Sequence, residues 1–325
     1  MKAKMQSLRY RKLLEVELSD VEKRLQQKND RVPAPTLASL HALITNGGKR
    51  LRPALVLLSA HIFDTHGERA TSLAAAIELL HTATLIHDDL IDKASRRRNT
   101  PTLNRIWDPA TAVLTGDLVF AWAARLAAES DDIQIIRRFT TTLETVCSGE
   151  IRQSFEERGT LPTQEDYYER IYAKTASLFA LATEIGPRLA GISNADIEAM
   201  RHFGKLMGLA FQIADDVLDL TGDEAQLGKP SGSDLRHGIV TLPVLLYLDQ
   251  HPEARPHLES LLQRNEETAF EQSITRIQQS EAIDRASKIA ASHIDEAIEI
   301  LHRYPDSPYR QAMEEIAHFA VQRRY

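Results

Sequence analysis

The hydrophobic pattern of this chain is helical along most of its length. Its long segments are rich in Ala, Leu, Glu, Arg, Gln and Ile, which favour helices. No series of alternating strands joined by hairpin turns appears between them. We predict helices, or parts of helices, at 53–60, 71–92, 110–128, 133–158, 167–190, 195–220, 242–248 and 275–302. This pattern predicts an all-α fold.

The chain shows no clear place to divide into domains. It has 325 residues, of which 43% are hydrophobic, enough for one sizeable core. Neither a linker of biased composition nor a short tandem repeat separates the helical segments. We therefore expect one large helical bundle formed by a single domain over residues 1–325.

Composition restricts the partners and the location of the protein. The net charge of −7 and the mixing of both signs disfavour nucleic acid as a partner, because phosphate-backbone binding needs a concentrated basic face. The single cysteine, Cys147, is expected to be buried and indicates a cytoplasmic protein. The charged N-terminal segment does not resemble a secretory signal. No stretch approaches the ~20 apolar residues of a membrane span, so we expect at most transient membrane contact.

Two aspartate-rich motifs of the form DDxxD each end an apolar helical run. The first, ATLIHDDLID, carries Asp88 and Asp92, and the second, LAFQIADDVLD, carries Asp215 and Asp219. Residues i and i+4 share a helix face, so the first and last aspartates of each motif project together. The middle aspartate of each motif is rotated by about 100° and is expected to play a supporting role.

Carboxylates crowded at a helix C-terminus repel one another and meet the negative end of the helix dipole. Their oxygens suit Mg²⁺, which keeps several waters and is usually shared with substrate phosphates. One such motif alone is equally well explained as a solvated acidic helix end. Two copies, each followed by a polar loop, favour a magnesium site.

Three basic clusters accompany the aspartates. They are GGKRLRP at 47–53, KASRRRNTP at 93–101 and GKPSGSDLRHG at 228–238. Arginine forms bidentate hydrogen bonds with phosphate oxygens, and lysine supplies a compact charge. Each cluster alone is more typical of a solvated surface. Together with the aspartates, they fit a diphosphate bound through magnesium, and a second diphosphate bound without metal would need a basic pocket of its own.

The order and spacing of these motifs resemble the trans-polyprenyl diphosphate synthase family, in particular its octaprenyl and heptaprenyl members. The resemblance rests on GGKRLRP, HTATLIHDDLID with the following RR and PT, AKT, FQIADDVLD, GKP and TLP, which span about residues 40 to 245. It implies an isoprenoid synthase type I fold, a helical bundle around a deep central cavity, usually as a homodimer. It also implies a Mg²⁺-dependent condensation of isopentenyl diphosphate with an allylic diphosphate to an all-trans product.

The resemblance implies a role for each matching residue. Magnesium on the allylic diphosphate would be held by Asp88 and Asp92, and a further magnesium by Asp215 with Asp219 in support. The allylic diphosphate would be contacted by Arg97, Lys174 and Lys229. The diphosphate of isopentenyl diphosphate would be held by Lys49, Arg52, His81 and Arg98. The implied catalytic set, in which Thr175 and Gln212 face the developing carbocation, is Asp88, Asp92, Lys174, Thr175, Gln212 and Asp215.

Some residues depart from the family pattern or are left without a role. Ile239 stands where many members have a lysine, which removes one candidate phosphate contact. Asn99 replaces a common glycine, and we expect little effect. His87 is expected to be a buried or helix-end residue, because the departing diphosphate can accept the proton. Arg323 and Arg324 are expected to lie on the surface rather than to close over the active site.

The resemblance implies that the product tail runs from the first aspartate back along its own helix. One helical turn rises about 5.4 Å, close to the length of one isoprene unit. Small residues one turn before the motif leave room, which predicts a medium or long chain product. The predicted pocket is Ala83, Thr84, Leu80 and Ala76. Two alternatives stay open: a floor on another helix, and a shorter farnesyl or geranylgeranyl product. The candidates for that other floor are Val113, Leu114 and Phe120.

Other functions fit the sequence less well. A terpene cyclase or head-to-head synthase also uses aspartate-rich helices, but needs no separate site for isopentenyl diphosphate. A non-catalytic partner subunit would be expected to lack an aspartate motif, and a helical scaffold would leave the basic clusters unexplained. The chain could instead be the catalytic member of a heteromer.

Overall fold

The computed structural model describes residues 8–26, 32–45, 48–97, 100–155, 160–222, 230–264 and 267–322. Strands within these residues are limited to one antiparallel ladder, Arg96–Arg97 (β1) with Thr100–Pro101 (β2). The helices before the ladder are α1 Arg9–Leu13, α2 Glu15–Leu25, α3 Ala34–Thr45, α4 Leu51–Ile62 and α5 Glu68–Ile91. The helices after it are α6 Leu103–Ile106, α7 Pro109–Ala128, α8 Ile133–Ser154, α9 Gln164–Ile171, α10 Ser177–Leu189, α11 Asn194–Thr221, α12 Ser233–Arg236, α13 Leu242–Gln250, α14 Arg255–Arg264, α15 Glu267–Gln279, α16 Ala282–Leu301 and α17 Pro308–Val321. A π-helical segment, Tyr172–Ala176, joins α9 to α10, and a 3₁₀ turn, Pro252–Ala254, precedes α14.

The all-α fold predicted from the sequence is confirmed, with differences at particular boundaries. The single helix predicted at 275–302 is wrong, because the chain breaks between α15 and α16. There the Ser280 hydroxyl accepts a hydrogen bond from the Ala282 backbone N–H at 3.2 Å. The helix predicted at 133–158 ends at Ser154, and residues 156–159 lie outside the described part of the chain.

Several further helices were not predicted, among them α3, α14 and α17. The start of α17 carries a recognisable signal, since Ser307 accepts a hydrogen bond from the Arg310 backbone N–H at 3.1 Å and Pro308 follows it. A serine cap followed by proline at the first helical position is a typical helix start. The sequence therefore contained evidence for this helix.

The start of α9 follows the predicted pattern. The Thr163 hydroxyl accepts a hydrogen bond from the Asp166 backbone N–H at 3.1 Å. The Asp166 carboxylate in turn accepts one from the Thr163 backbone N–H at 3.0 Å. This capping box satisfies backbone donors that have no partner within the helix, and it begins the helical segment that leads into the π segment.

Close contacts between long helices form the core that supports both aspartate motifs. Helix α5 packs against α7, and α11 packs against α10 and α16. A Cβ atom at Gly204 would lie 2.2 Å from the Thr183 Oγ1 atom, and one at Gly208 would lie 2.5 Å from the Ala176 Cα atom. The crossing of α11 with the π segment and α10 therefore requires glycine at both positions.

Two expectations are wrong: that no stretch approaches the length of an apolar membrane span, and that Cys147 is buried. Helix α7 is, among the described residues, one helix long and apolar enough to cross a membrane by length and composition. It nevertheless contains Asp117 and Arg125 and packs against α5. Cys147 is exposed rather than buried. Its neighbour Val146 occupies the inward position on α8, and the next residue of a helix is rotated by about 100°.

Candidate active site

The first aspartate motif lies at the C-terminal end of α5. The Asp92 backbone N–H donates to the Asp88 carbonyl at 2.8 Å, so the helical geometry continues to the last aspartate of the motif. Asp88 is partly buried and Asp92 is exposed. Asp89 is buried, and its carboxylate accepts a hydrogen bond from the Arg97 Nε atom at 2.8 Å. Arg97, predicted to contact the allylic diphosphate, therefore also holds the first motif to the β ladder.

The carboxyl group of Asp88 lies in an environment that disfavours its charge. Burial raises the pKa of Asp88 to about 6, although the nearby Lys174 ammonium opposes the shift. The carboxylates of Glu150 and Asp92 add to the increase. Cation binding at this position would relieve both the burial cost and the repulsion.

Lys174 connects this carboxylate to α8. Its Nζ atom lies 2.9 Å from the Glu150 Oε1 atom. Burial would lower the pKa of Lys174, but the carboxylates of Asp88 and Glu150 outweigh it and raise the pKa. Lys174 is therefore held as a cation beside the first motif. Glu150 was not predicted as a site residue, because it belongs to no motif and only the packing of α8 brings it to Lys174.

Asp216 of the second aspartate motif accepts the last bond in a series of side-chain hydrogen bonds. The Thr175 hydroxyl donates to the Gln212 Oε1 atom at 2.8 Å, and the Gln212 Nε2 atom donates to Asp216 at 2.9 Å. The Tyr167 hydroxyl donates to the other Asp216 oxygen at 2.6 Å. These contacts fix the orientation of the Gln212 amide. Tyr167 was not predicted, because no local pattern distinguishes it from an ordinary core tyrosine.

Asp216 is buried and carries a shifted pKa. Burial raises its pKa to about 7. The hydrogen bonds from Tyr167 and Gln212 oppose the increase, and the carboxylates of Asp234 and Asp215 add to it. Asp216 therefore orders its neighbours within the protein, the supporting role expected for the middle aspartate of the motif.

The two outer aspartates of the second motif differ in accessibility. Asp219 is buried, and one of its carboxylate oxygens accepts a hydrogen bond from the Asp234 backbone N–H at 3.1 Å. Asp215 is partly exposed on α11, which continues beyond both residues to Thr221. Of the two, Asp215 presents the more accessible carboxylate.

The π segment brings the two motifs together. Lys174 acts electrostatically on Asp88 of α5, while the adjacent Thr175 bonds to Gln212 of α11. A π-helical turn inserts an extra residue into a helix and is frequent at functional sites. Lys174 and Thr175, although consecutive in the sequence, can therefore interact with two different helices.

The basic segment at the start of α4 contacts aromatic rings. The Lys49 Nζ atom lies 4.8 Å from the centre of the Phe319 ring, and the Arg52 guanidinium carbon lies 4.6 Å from the centre of the Phe179 ring. Phe179 in turn packs against Phe211, next to Gln212, with ring centres 5.2 Å apart. The rings of Phe179 and Phe211 therefore lie between Arg52 and the helix that carries the second motif.

Other predicted substrate-binding residues are only partly located. His81 is partly buried on α5, about two turns before the first motif. Ile239, which replaces the family lysine, donates its backbone N–H to the Asp234 carbonyl at 2.8 Å. Five predicted or discussed residues lie outside the described part of the chain: Arg98, Asn99, Lys229, Arg323 and Arg324.

The donor set fits a cation that is shared with a ligand. Over the described residues, no group of three or more His, Cys, Asp or Glu side chains stands ready to hold a metal ion alone. Mg²⁺ is usually bound by one or two carboxylates together with waters and substrate phosphates. Asp88 and Asp92, whose carboxylates repel each other, supply oxygen ligands of this kind.

The residues predicted to line the product pocket lie along the buried side of α5. Ala76, Leu80 and Ala83 are fully buried, and Thr84 is partly buried. The alternative that Val113 or Leu114 faces inward is wrong for this single chain, since the two residues are 39% and 67% exposed.

Phe120, the third alternative for the pocket floor, is partly buried on α7. Its ring packs edge-on against His87, with centres 5.3 Å apart. The His87 Nε2 atom also lies 3.2 Å from the Val113 carbonyl oxygen. His87 is thus a partly buried helix-end residue, as expected, and it holds the end of α5 against α7.

Comparison with known proteins identifies the family. The family model described as polyprenyl synthetase matches residues 35–279. This chain belongs to the polyprenyl synthetase family. The family resemblance inferred from the order of the motifs is thereby confirmed.

Several relatives match nearly the whole chain. The short chain isoprenyl diphosphate synthase of Methanothermobacter thermautotrophicus is 37% identical, with 91% of this chain and 93% of the relative covered. The all-trans-nonaprenyl-diphosphate synthase (geranyl-diphosphate specific) of Rhodobacter capsulatus is 38% identical, with 86% and 87% covered. Heptaprenyl diphosphate synthase component 2 of Geobacillus stearothermophilus is 36% identical, with 89% of both chains covered.

A solved structure of the family has the same architecture. The crystal structure of heptaprenyl diphosphate synthase from Staphylococcus aureus matches with a TM-score of 0.90 at 33% identity, covering 95% of this chain and 98% of that chain. The names of these polyprenyl synthetase relatives include short, heptaprenyl and nonaprenyl products. Family membership therefore leaves the product length of this chain open.

Proposed function

We propose that this protein is a Mg²⁺-dependent trans-prenyltransferase that condenses isopentenyl diphosphate with an allylic diphosphate. The observation that carries the proposal is the meeting of the two aspartate motifs across Lys174 and Thr175 of the π segment. A cation and a hydroxyl from consecutive positions lie between two sets of carboxylates. This arrangement suits a metal-bound diphosphate at the start of a hydrocarbon pocket.

In this proposal the aspartate motifs hold the allylic diphosphate. Asp88, Asp92 and Asp215, supported by Asp219, would hold magnesium. Magnesium would supply positive charge that stabilises the leaving diphosphate as its bond to the allylic carbon breaks. The protein cations assigned to the same diphosphate are Lys174, Arg97 and Lys229.

The carbocation that remains would face Thr175 and Gln212. The Gln212 amide is oriented by its bonds to Thr175 and Asp216, so its oxygen is positioned without reorganisation during the reaction. The double bond of isopentenyl diphosphate attacks the cation, a carbon–carbon bond forms, and the departed diphosphate accepts the proton that is lost. The residues assigned to hold isopentenyl diphosphate are Lys49, Arg52, His81 and Arg98.

We propose a medium or long chain product. The small side chains along the buried side of α5 support this proposal, as do relatives named for heptaprenyl and nonaprenyl products. A shorter farnesyl or geranylgeranyl product is the alternative, and a relative named as a short chain synthase supports it. The proposed tail pocket is Ala76, Leu80, Ala83 and Thr84.

We also propose that the active form is a homodimer of one-domain chains in the cytoplasm. Val113 and Leu114 of α7 and Ile151 of α8 are exposed apolar residues that a second copy would cover. The alternative is the catalytic subunit of a heteromer, which the relative named as component 2 supports. We expect no nucleic acid partner and at most transient membrane contact during product release.

The test is elongation by purified protein. Isopentenyl diphosphate and Mg²⁺ would be incubated in parallel with dimethylallyl, geranyl, farnesyl and geranylgeranyl diphosphate, and product masses measured. We expect products longer by whole isoprene units, and none from the Asp88→Ala variant. Folded wild-type protein that elongates none of the primers, alone or with a co-expressed partner, would overturn the proposed reaction.

A further inference from the structure

Arg50 has a different environment from the two cations beside it in the basic turn, residues 48–52. It precedes α4 with φ 53° and ψ 33°, a left-handed conformation that non-glycine residues rarely adopt. Gly48 also has a positive φ, of 45°. Lys49 therefore lies between two left-handed residues, and the direction of the chain at this point depends on what holds Arg50.

The Arg50 guanidinium is directed into the protein. Its Nη1 atom donates to the Glu78 Oε1 atom at 2.7 Å, and its Nη2 atom donates to the Ile44 carbonyl at 2.7 Å. Its Nε and Nη2 atoms also donate to the two carboxylate oxygens of Glu22, at 2.5 Å and 3.1 Å. Only 10% of the Arg50 side chain is exposed. The donors of its fork are thus largely used inside the protein.

Charge excludes a direct phosphate-binding role for Arg50. One guanidinium is matched by two carboxylates, those of Glu22 and Glu78. Such a cluster carries a net negative charge and would not attract a diphosphate. Among the cations of the basic turn, a direct contact with the diphosphate therefore stays assigned to Lys49 and Arg52.

The rest of the basic turn is held by segments distant in the sequence. The buried Tyr10 donates its hydroxyl to the Lys49 carbonyl at 2.7 Å, and the Lys49 ammonium lies against the Phe319 ring. Tyr10 and Glu22 precede residue 35, and Phe319 follows residue 279, so all three lie outside the part matched by the family model. The two ends of the chain thus converge on this turn.

We propose that Arg50 is a positioning residue for the isopentenyl diphosphate site. Clamped by Glu22 and Glu78, it holds the left-handed turn that presents Lys49 and Arg52 to the diphosphate bound without metal. The N-terminal helices then support the substrate site through the contacts of Tyr10 and Glu22 with this turn. This inference rests on the proposed function, because it assumes that Lys49 and Arg52 bind that diphosphate.

An ion pair with a buried carboxylate elsewhere in the chain provides the control. Arg138 of α8 donates from its Nε atom to the Glu184 Oε1 atom at 3.0 Å, and the Glu184 side chain is 1% exposed. Neither residue is assigned to a substrate. Arg138→Lys should therefore lower the melting temperature as a buried-pair mutation does, without changing the binding of either substrate.

The experiment compares Arg50→Lys, Glu22→Gln and Arg138→Lys by two readouts. Calorimetry measures binding of isopentenyl diphosphate without Mg²⁺, and steady-state kinetics measure KM for each substrate. We expect Arg50→Lys to weaken isopentenyl diphosphate binding and raise its KM by about ten-fold, the scale of one lost charge-assisted hydrogen bond. Glu22→Gln should have a smaller effect in the same direction. KM for the allylic primer should change by less than about two-fold.

Each outcome separates the alternatives. If the folded Arg50→Lys and Glu22→Gln variants bind isopentenyl diphosphate as the wild type does, the positioning role is overturned. It is also overturned if these variants raise KM for both substrates by the same factor and Arg138→Lys raises both KM values equally. If Arg50→Lys does not fold, Glu22→Gln decides, because Glu22 is half-buried and its change is milder. Wild-type protein that binds isopentenyl diphosphate but never elongates a primer would overturn the proposed reaction, while the binding readout would still test the clamp.

Discussion

The aspartate end of the molecule and the basic turn both bury charged side chains, but they balance them differently. At the aspartate end, burial raises the pKa of Asp88 to about 6 and that of Asp216 to about 7, against 3.8 for an ordinary aspartate. In the basic turn, Arg50 is matched by two carboxylates within the protein. At the aspartate end, the nearby protein cations leave part of the burial cost of Asp88 uncompensated, whereas the buried Arg50 guanidinium has its charged partners within the protein.

This difference separates charged side chains that bind a ligand from charged side chains that fix the position of the backbone. A carboxylate held in an unfavourable environment gains when a cation arrives, which suits the proposed magnesium site. A guanidinium whose partners are internal gains little from a ligand and instead fixes the backbone around it. The comparison predicts that mutations at the aspartate end reduce turnover most, and that mutations in the clamp reduce affinity for one substrate.

The largest effect is expected from Asp88→Asn. The substitution removes the charge while keeping the shape, and we expect turnover to fall on the order of 10³-fold, the scale of losing a preorganised charge-stabilising group. Asp132→Asn is the matched control, because asparagine also caps a helix well and Asp132 caps α8. Initial rates with saturating substrates provide the measurement. An Asp88→Asn variant as active as the control would contradict the expectation that mutations at the aspartate end reduce turnover most.

A smaller loss is expected from Tyr167→Phe, which removes the hydroxyl that donates to Asp216. Asp216 and the Gln212 amide would lose a fixed orientation, and we expect kcat to fall by about 10- to 100-fold. Both KM values should stay near those of the wild type. The neighbouring Tyr168→Phe serves as control and should leave kcat unchanged. A Tyr167→Phe enzyme with normal kcat would show that the hydrogen-bond chain does not position the site.

Ala83→Phe should shorten the product without altering either diphosphate region. Ala83 is fully buried one turn before the first motif, where an aromatic ring would block the proposed tail path. Mass spectrometry of the products, together with a melting curve that shows a folded variant, provides the measurement. An unchanged product distribution would contradict the passage of the tail along this side of α5.

Without metal, the stability of the protein should depend on pH because the Asp88 carboxyl group is buried. The folded-state pKa lies above the ordinary value of 3.8, so the folded protein binds more protons than the unfolded chain between about pH 4 and 6. The contribution of Asp88 to stability therefore falls as pH rises through this range. With EDTA present, we expect Asp88→Asn to melt above wild type by a margin that is larger at pH 8 than at pH 5. A margin independent of pH would contradict the assigned shift.

The smallest effect is expected from Thr163→Ala, because Thr163 belongs to neither of the two regions. Loss of the cap at the start of α9 should lower the free energy of unfolding by about 1 kcal/mol. Product length and both KM values should not change. Denaturant unfolding measures the first quantity, and a change in product length would show that α9 influences the site more than its capping geometry suggests.

Helical spacing explains what could be predicted from the sequence. The aspartate motifs end apolar helices, and i and i+4 positions share a face, so their placement followed from local geometry. The π segment was not predicted, because an inserted helical residue leaves no local pattern. Glu150 and Tyr167 were missed for a related reason, since only tertiary packing brings them to Lys174 and Asp216.

The basic turn shows a further limit of sequence reasoning. Lys49, Arg50 and Arg52 stand together in one motif, and nothing in their order shows which cations face a ligand. Arg50 is distinguished by tertiary contacts such as those with Glu22 and Glu78, each 28 residues away in the sequence. Exposure is similarly hard to predict, as the exposed Val113 and Leu114 show.

The most direct test of the central claim is the mass of the products formed from geranyl or farnesyl diphosphate and excess isopentenyl diphosphate, with and without Mg²⁺. We expect a series of prenyl diphosphates that differ by one isoprene unit, formed only with the metal and reaching medium or long chain length. Consumption of the allylic diphosphate without incorporation of isopentenyl diphosphate, by protein shown to be folded, would contradict it.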